Sequence, residues 1–166
     1  MRNNIRGSIV ATFVVVGALS SGVTLRAQGD PLIGRWMLNV AKSKFEGVPA
    51  PKSEIRVYEA FGGAGKGIRA TFDRVDATGK KITITFAAMY DGKDYKYNGP
   101  DGDTLALTRP NPNTLDATLK QNGKIMQTTH SVISADGKTR TQMATGTDAQ
   151  GRKFTVTAVF EKQTTS

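Results

Sequence analysis

Apolar and polar residues alternate with a period of two in short segments along most of the chain. The clearest segment follows Lys80, where one face collects Ile82, Ile84, Phe86, Ala88 and Tyr90. A period of two is typical of a β-strand with one buried face. After residue 27 no segment shows the 3.6-residue period of a helix, so the pattern predicts an all-β chain of about nine or ten strands.

Further strands are predicted wherever the alternation returns. They cover 34–40 (Trp36, Leu38 and Val40 on one face), 54–59 (Ile55 and Val57 on one face), 68–73, 105–107, 115–119, 124–133, 139–146 and 153–163. Tyr95–Tyr97 is either a short strand or an irregular crossing. The alternation is weak in 124–133 and 139–146. The Pro-containing and Gly-containing segment 41–53 predicts a long loop, in which one helical turn around Lys42–Phe45 is an alternative.

Turns that pair a Gly with a basic residue separate these segments. They are Gly65-Lys66, Gly79-Lys80, Gly92-Lys93, Gly123-Lys124, Gly137-Lys138 and Gly151-Arg152. Gly supplies the positive φ that tight hairpins need, so the chain is expected to reverse after each strand. The prediction is an up-and-down antiparallel meander that closes into a lipocalin-like barrel of about 8–10 strands, since closure removes exposed edges. Successive turns then lie at opposite ends, which divides these basic residues between two rims.

Residues 1–27 have the pattern of a secretory signal peptide. Arg2 and Arg6 precede the apolar run 9–19, and Ala27 precedes the expected cleavage point, with Ser20 or Gly22 as a competing site. The expected products are a signal peptide over 1–27 and one barrel domain over 28–166, secreted or periplasmic, with no transmembrane segment in the mature chain. No Cys is present to form disulfides or carry a lipid.

Positive charge narrows the choice of partner. Cleavage after Ala27 removes Arg2, Arg6 and Arg26 and no acidic residue, so the formal net charge falls from +9 to +6. Export argues against a nucleic-acid partner, and the aromatic residues do not alternate with basic ones as they do in a base-stacking platform. The charge therefore favours solubility or retention near an anionic envelope surface.

Residues that could carry chemistry are few. The segment 60–67 resembles a phosphate-binding loop but lacks the first Gly, a Ser or Thr after Lys66, and a following helix. His130 is the only histidine, so serine-hydrolase and zinc sites are poorly supported, while haem ligation by His130 stays open. The carboxylates in 91–103 have no EF-hand spacing and are expected to form turns. No catalytic residue, cofactor or metal is assigned, and enzyme activity is not expected.

Large aromatic side chains fall on the apolar faces of the predicted strands. They are Phe72, Phe86, Tyr90, Phe154 and Phe160, and small Ala residues share those faces. A barrel of eight or more strands is either filled by its side chains or holds a small ligand. These five aromatics are therefore candidates to line a ligand cavity, with a packed core as the alternative.

Gly34-Arg35-Trp36 resembles the Gly-x-Trp signature of lipocalins and related calycin barrels. The resemblance implies that Trp36 packs across the closed barrel end against a late basic residue, Arg152 or Lys162. More of the chain resembles secreted bacterial lipocalin-like proteins, a group with no assigned ligand or catalytic residues to carry over. The matching segments are 34–45, 90–95, 134–139 and 159–163. The resemblance implies the fold and export.

Two functions follow from these observations. The first is an exported, non-catalytic protein that holds a small hydrophobic or amphipathic molecule in the barrel lumen. The second is an envelope module that binds a protein or inhibits an enzyme through exposed loops, chiefly 41–53 and the Gly-rich 61–67.

Overall fold

The computed structural model describes residues 29–164 and contains eleven β-strands and one short 3-10 turn. The strands are β1 (Gly34–Leu38), β2 (Lys44–Glu46), β3 (Ser53–Ala60), β4 (Gly67–Val75), β5 (Lys81–Met89), β6 (Asp91–Gly99), β7 (Gly102–Asn111), β8 (Thr114–Gln121), β9 (Lys124–Ile133), β10 (Thr139–Thr147) and β11 (Lys153–Gln163), and the 3-10 turn covers Val40–Lys42. The signal peptide predicted over 1–27 lies outside the described residues. Within 29–164 there is no helix long and apolar enough to cross a membrane.

The strands form one closed antiparallel sheet. From β3 to β11 each strand pairs with the next one along the chain, and β1 pairs with both β3 and β11. The register at closure places Arg35 opposite Gln163 and Leu38 opposite Phe160. Ten strands thus close the barrel, which confirms the predicted all-β meander.

β2 is an additional strand that the sequence pattern did not predict. After β1, the side chain of Asn39 accepts a hydrogen bond from the Lys42 backbone N–H at 3.1 Å and holds the 3-10 turn. The turn redirects the chain so that β2 continues along β11, with Phe45 opposite Val156. The predicted loop over 41–53 is therefore shorter, because pairing with a strand more than a hundred residues later creates β2.

The Gly-basic turns alternate between the two barrel ends, as a strict meander requires. All six glycines have φ between 69° and 98°. Gly79, Gly123 and Gly151 lie at the end that we call the mouth, and Gly65, Gly92 and Gly137 lie at the opposite, closed end. The positively charged turn residues are therefore shared between two rims.

The inner faces of β3 and β10 are largely polar, and β9 adds the buried Ser131 to them. On β5 the buried positions are the apolar Ile84, Phe86 and Ala88, whereas on β3 they are Glu54, Arg56 and Tyr58. On β10 they are Arg140, Gln142 and Ala144. Ile55 and Val57 do share one face of β3, but it is the outer one, so the barrel interior combines an apolar wall with a polar one.

Candidate ligand-binding cavity

A cavity of about 390 Å³ occupies the mouth half of the barrel; we call it the mouth cavity. Its walls are mainly apolar and include Leu38, Phe45, Val48, Pro49, Pro51, Ile82, Ala144, Phe154, Val156, Ala158 and Phe160. Its rim is formed by turn residues such as Asp76, Pro100 and Asp148. An apolar concave space with a few polar groups is the usual form of a small-molecule site.

A second, smaller cavity of about 80 Å³ lies deeper in the barrel; we call it the inner cavity. Tyr58, Phe72, Phe86, Leu105, Leu107, Leu115, Ser131 and Arg140 are among its lining residues. The two cavities share Arg56, Arg74, Asp101, Leu119, Gln127 and Gln142 as lining residues. The inner cavity therefore adjoins the mouth cavity at a boundary that includes two arginines.

Seven side chains of β3, β4, β9 and β10 form a hydrogen-bonded group at and below this boundary. We call Glu54, Arg56, Tyr58, Arg74, Ser131, Arg140 and Gln142 the polar cluster. Glu54 accepts from Arg56 Nε at 2.5 Å and from Arg74 Nε at 2.6 Å, with its side chain only 3% exposed. Arg56 also donates to Gln142 Oε1 at 2.6 Å. One buried carboxylate thus serves two guanidinium groups.

Aromatic rings hold the Arg56 guanidinium on two sides. Its carbon lies 4.4 Å from the centroid of Phe72 and 4.3 Å from that of Phe160. Cations are attracted to the faces of aromatic rings, more strongly where water is excluded. The rings continue along the wall as Tyr58, Phe72, Phe86 and Tyr97, with neighbouring centroids 5.5–6.2 Å apart. Arg56 is therefore fixed in place by packing as well as by Glu54.

Arg140 lies deeper than Arg56 and has only neutral partners. It donates to the hydroxyl of Tyr58, to Ser131 Oγ at 3.0 Å and to Gln142 Oε1 at 3.4 Å. Its Nε is buried and, within the described part of the chain, has no hydrogen-bond partner. Buried donors are almost always satisfied, so this unmade hydrogen bond is unusual.

The pKa shifts in the polar cluster follow from burial and pairing. Burial alone would raise the pKa of Glu54, but the positive charges of Arg56 and Arg74 outweigh it and lower that pKa. Burial likewise opposes the charged form of Arg56, yet Glu54 raises its pKa overall. Burial lowers the pKa of Arg140, and its neighbours do not compensate. Arg140 is thus the member of the cluster whose charge is least well balanced.

The closed end is filled by side chains. Trp36 is fully buried there and donates from Nε1 to the Leu32 carbonyl at 2.8 Å. Lys162 Nζ lies 5.2 Å from the Trp36 ring centroid and donates to the Pro31 carbonyl at 2.7 Å. Of the two basic partners considered for Trp36, Lys162 occupies that position, whereas Arg152 binds Asp148 at the mouth.

The predicted lining residues fall in three places. Phe72 and Phe86 line the inner cavity, and Phe154 and Phe160 line the mouth cavity. Tyr90 instead lies at the closed end, where its hydroxyl accepts from Arg109 at 2.8 Å. Arg109 also forms a two-bond ion pair with Asp30, at 2.6 and 2.7 Å, which ties the segment before β1 to the barrel.

His130 lies on the outer wall, away from both cavities. Its side chain is 56% exposed, and Nδ1 lies 2.6 Å from Asp116 Oδ1 on the neighbouring strand β8. A haem held in the lumen would therefore not reach it. Among the residues that the structure describes, no three His, Cys, Asp or Glu side chains are grouped so that they could hold a metal ion.

Apolar alternation does not reveal the polar cluster, because its members are polar residues on the inward faces of the strands. The same period-two pattern carries the information, since Glu54, Arg56 and Tyr58 alternate with Ile55 and Val57. Which of the two faces points inward is decided by pairing with β1 and β4. The weak alternation in β9 and β10 had the same cause, because Ser131, Arg140 and Gln142 face inward.

No protein-family model matches the chain, and no curated protein matches it. Among solved structures, the zebrafish ileal bile acid-binding protein complexed with cholic acid is similar, with a TM-score of 0.44 and 13% sequence identity. The match covers 80% of this chain and 99% of that chain. The resemblance to secreted bacterial lipocalin-like proteins thus stays an expectation, and the function must be argued from this chain's own residues.

Proposed function

We propose that this protein binds a small hydrophobic or amphipathic molecule inside the barrel and performs no chemistry on it. The observation that supports this is the mouth cavity of about 390 Å³ with mainly apolar walls. The opposite end is blocked by Trp36, so a ligand would enter past the mouth turns. Burying a ligand's apolar surface there is favourable by roughly 25 cal/mol per Å² before the costs of association.

Binding is tested on protein purified from its own host. Native mass spectrometry should show an additional mass that is lost on denaturation, and calorimetric titration of the stripped protein with a panel of fatty acids, long-chain alcohols, flavonoids and haem should show saturable binding. A ligand-free protein that binds no member of the panel would overturn the proposal.

A variant that fills the cavity locates the site. Ala144 is buried and lines the mouth cavity, so Ala144→Phe places a ring where the ligand would lie. We expect affinity for any ligand found above to fall about tenfold or more, which is 1.4 kcal/mol or more of binding free energy. Ala87→Phe is the matched control, because Ala87 lies on the outer face of β5. An equal loss of affinity in Ala144→Phe and Ala87→Phe would show that the ligand does not bind in the mouth cavity.

The alternative of a protein-binding module remains a prediction with a test of its own. Part of the segment that suggested it faces the cavity, since Phe45, Val48 and Pro49 line the mouth. The Gly-rich 61–66 turn lies at the closed end and does not line the mouth cavity. A stoichiometric envelope protein captured by the full chain, and lost on replacing 61–66 with a two-residue turn, would favour this alternative.

We also propose export, which the residue pattern of 1–27 supports. Amino-terminal sequencing of protein isolated from its host should begin at Gln28, and cell fractionation should recover it outside the cytoplasm. Intact Met1 on cytoplasmic protein would contradict the proposal.

A further inference from the structure

We propose that the barrel selects ligands with a carboxylate head group, which binds at Arg140 in the inner cavity while the apolar body of the ligand extends into the mouth cavity. This inference rests on the proposed function, because it names the class of molecule that the lumen would hold.

The first argument is the imbalance of charge inside the barrel. The polar cluster contains three guanidinium groups, those of Arg56, Arg74 and Arg140, and one carboxylate, that of Glu54. Arg74 also pairs with the more exposed Asp101 at 3.6 Å, so Arg140 is the guanidinium of the three with no carboxylate partner in the described chain. Glu54 is the only carboxylate among the buried residues of the described chain, and Arg56 and Arg74 already share it. A charge this deeply buried is normally paired, so Arg140 lacks the partner that its position requires.

The second argument is the unsatisfied hydrogen bonding at Arg140. Its side chain is 2% exposed, and its buried Nε has no partner among residues 29–164. The oxygen of Gln142 that it contacts at 3.4 Å is already held by Arg56 at 2.6 Å. A carboxylate accepts charge-assisted hydrogen bonds from a guanidinium, so one in the inner cavity would supply both the partner and the negative charge that Arg140 lacks.

The third argument is the shape of the space around Arg140. Arg140 lines the inner cavity together with apolar Leu105, Leu107 and Leu115. At about 80 Å³ the inner cavity suits a compact head group better than the whole body of a ligand. The wider and more apolar mouth cavity begins at Arg56 and Gln142, so an extended ligand would place its acid inward and its apolar part outward.

The experiment compares three probes of equal chain length: decanoate, decanol and decyltrimethylammonium. Calorimetric titration of the full mature chain should show decanoate binding about tenfold or more tighter than decanol, the margin expected of charge-assisted hydrogen bonds, with the cationic probe weakest. Equal affinity for decanoate and decanol would overturn this inference and leave the proposed function standing. Binding of none of the three would count against both.

Arg140→Met tests the residue. We expect it to lose the preference for decanoate over decanol while still binding both, because the mouth cavity is unchanged. The matched control is Arg35→Met, the same exchange on the outer wall, where the preference should persist. Retained preference in Arg140→Met would overturn the assignment.

A spectroscopic measurement on the unaltered protein does not depend on how the variant folds. The carbon signal of decanoate labelled with ¹³C at the carboxyl group reports its ionisation. When bound, the carboxyl should stay ionised to a lower pH than the free acid, because a guanidinium favours the charged form. A bound carboxyl that titrates at or above the pH of the free acid would contradict contact with Arg140.

Discussion

The buried carboxylate of Glu54 pairs with two guanidinium groups inside the barrel. Removing one partner of a buried ion pair leaves an uncompensated charge, which costs about 3–5 kcal/mol. Glu54→Gln leaves Arg56 and Arg74 without their carboxylate, so we expect a loss of that size in the free energy of unfolding. Urea denaturation measures it. The control is Glu46→Gln, which breaks the exposed pair with Lys44 and should cost less than about 1 kcal/mol.

The pH dependence of Glu54 follows from its lowered pKa. Burial would raise the pKa of Glu54, but Arg56 and Arg74 bring it below the ordinary 4.5. A group whose folded pKa is lowered stabilises the fold above its unfolded pKa, and this contribution disappears as pH falls through the folded value. The stability difference between the natural protein and Glu54→Gln should therefore be constant from about pH 6 to 8 and shrink below about pH 4.5. A difference that grows on acidification would contradict it.

For Arg140 we expect the opposite effect: replacing it should not destabilise the ligand-free protein. Its charge is buried, its hydrogen-bond partners are neutral and its Nε is unpaired within the described chain, so removing it relieves a cost of about 1–3 kcal/mol. Arg140→Met should leave the ligand-free melting temperature unchanged or raise it, even though it removes hydrogen bonds to Tyr58 and Ser131. A large fall in melting temperature would show that Arg140 is mainly structural.

At the scale of the strands, Gly47 determines how closely β2 can approach β11. Its φ is +77°, and a Cβ at this position would lie 2.3 Å from the Lys153 carbonyl oxygen. Gly123 has a similar φ of +75° with nothing within 4 Å, so it is a matched control for backbone strain alone. We expect Gly123→Ala to cost about 1–2 kcal/mol and Gly47→Ala clearly more. Equal losses by urea denaturation would show that the close approach is relieved without cost.

The strands also show which parts of the structure a sequence pattern can predict. The Gly-basic turns and the alternation in β5 are local signals, and they predict the meander and five of its hairpin turns correctly. Gly92-Lys93 is predicted to be a turn but lies within β6, at a register shift between Asp91 and Asp94. β2 depends on Phe45 pairing with Val156, a contact between distant segments that no local window contains. The inward side of β3 is set by its neighbours, so Glu54 and Arg56 could be placed on one face but not inside the barrel.

For the two cavities, the sequence pattern predicts the apolar lining residues and does not predict the polar ones. Phe72, Phe86, Phe154 and Phe160 were found by their alternation, and each lines one of the two cavities. Tyr90 shares the period of Phe86 yet lies beyond the cavities, because it is at the strand end where Arg109 binds it. The polar cluster combines residues from four strands, and its geometry exists only once the barrel has closed.

At the scale of the whole molecule, closure depends on the last residues of β11. Phe160, Glu161, Lys162 and Gln163 pair with β1, and Phe160 also packs against Arg56 in the interior. Ending the chain after Val159 leaves β1 without this partner and opens the barrel along one edge. Unpaired strand edges recruit other chains, so we expect this truncated protein to aggregate.

The matched control ends the chain after Gln163. It removes residues 164–166 and keeps every pairing between β1 and β11, so it should remain monodisperse and melt as the full chain does. Light scattering and thermal melting compare the two truncations under identical conditions. A monodisperse, cooperatively melting protein that ends at Val159 would show that β1 and β3 hold the barrel together without closure, and the ten-stranded ring would then not be the unit of stability.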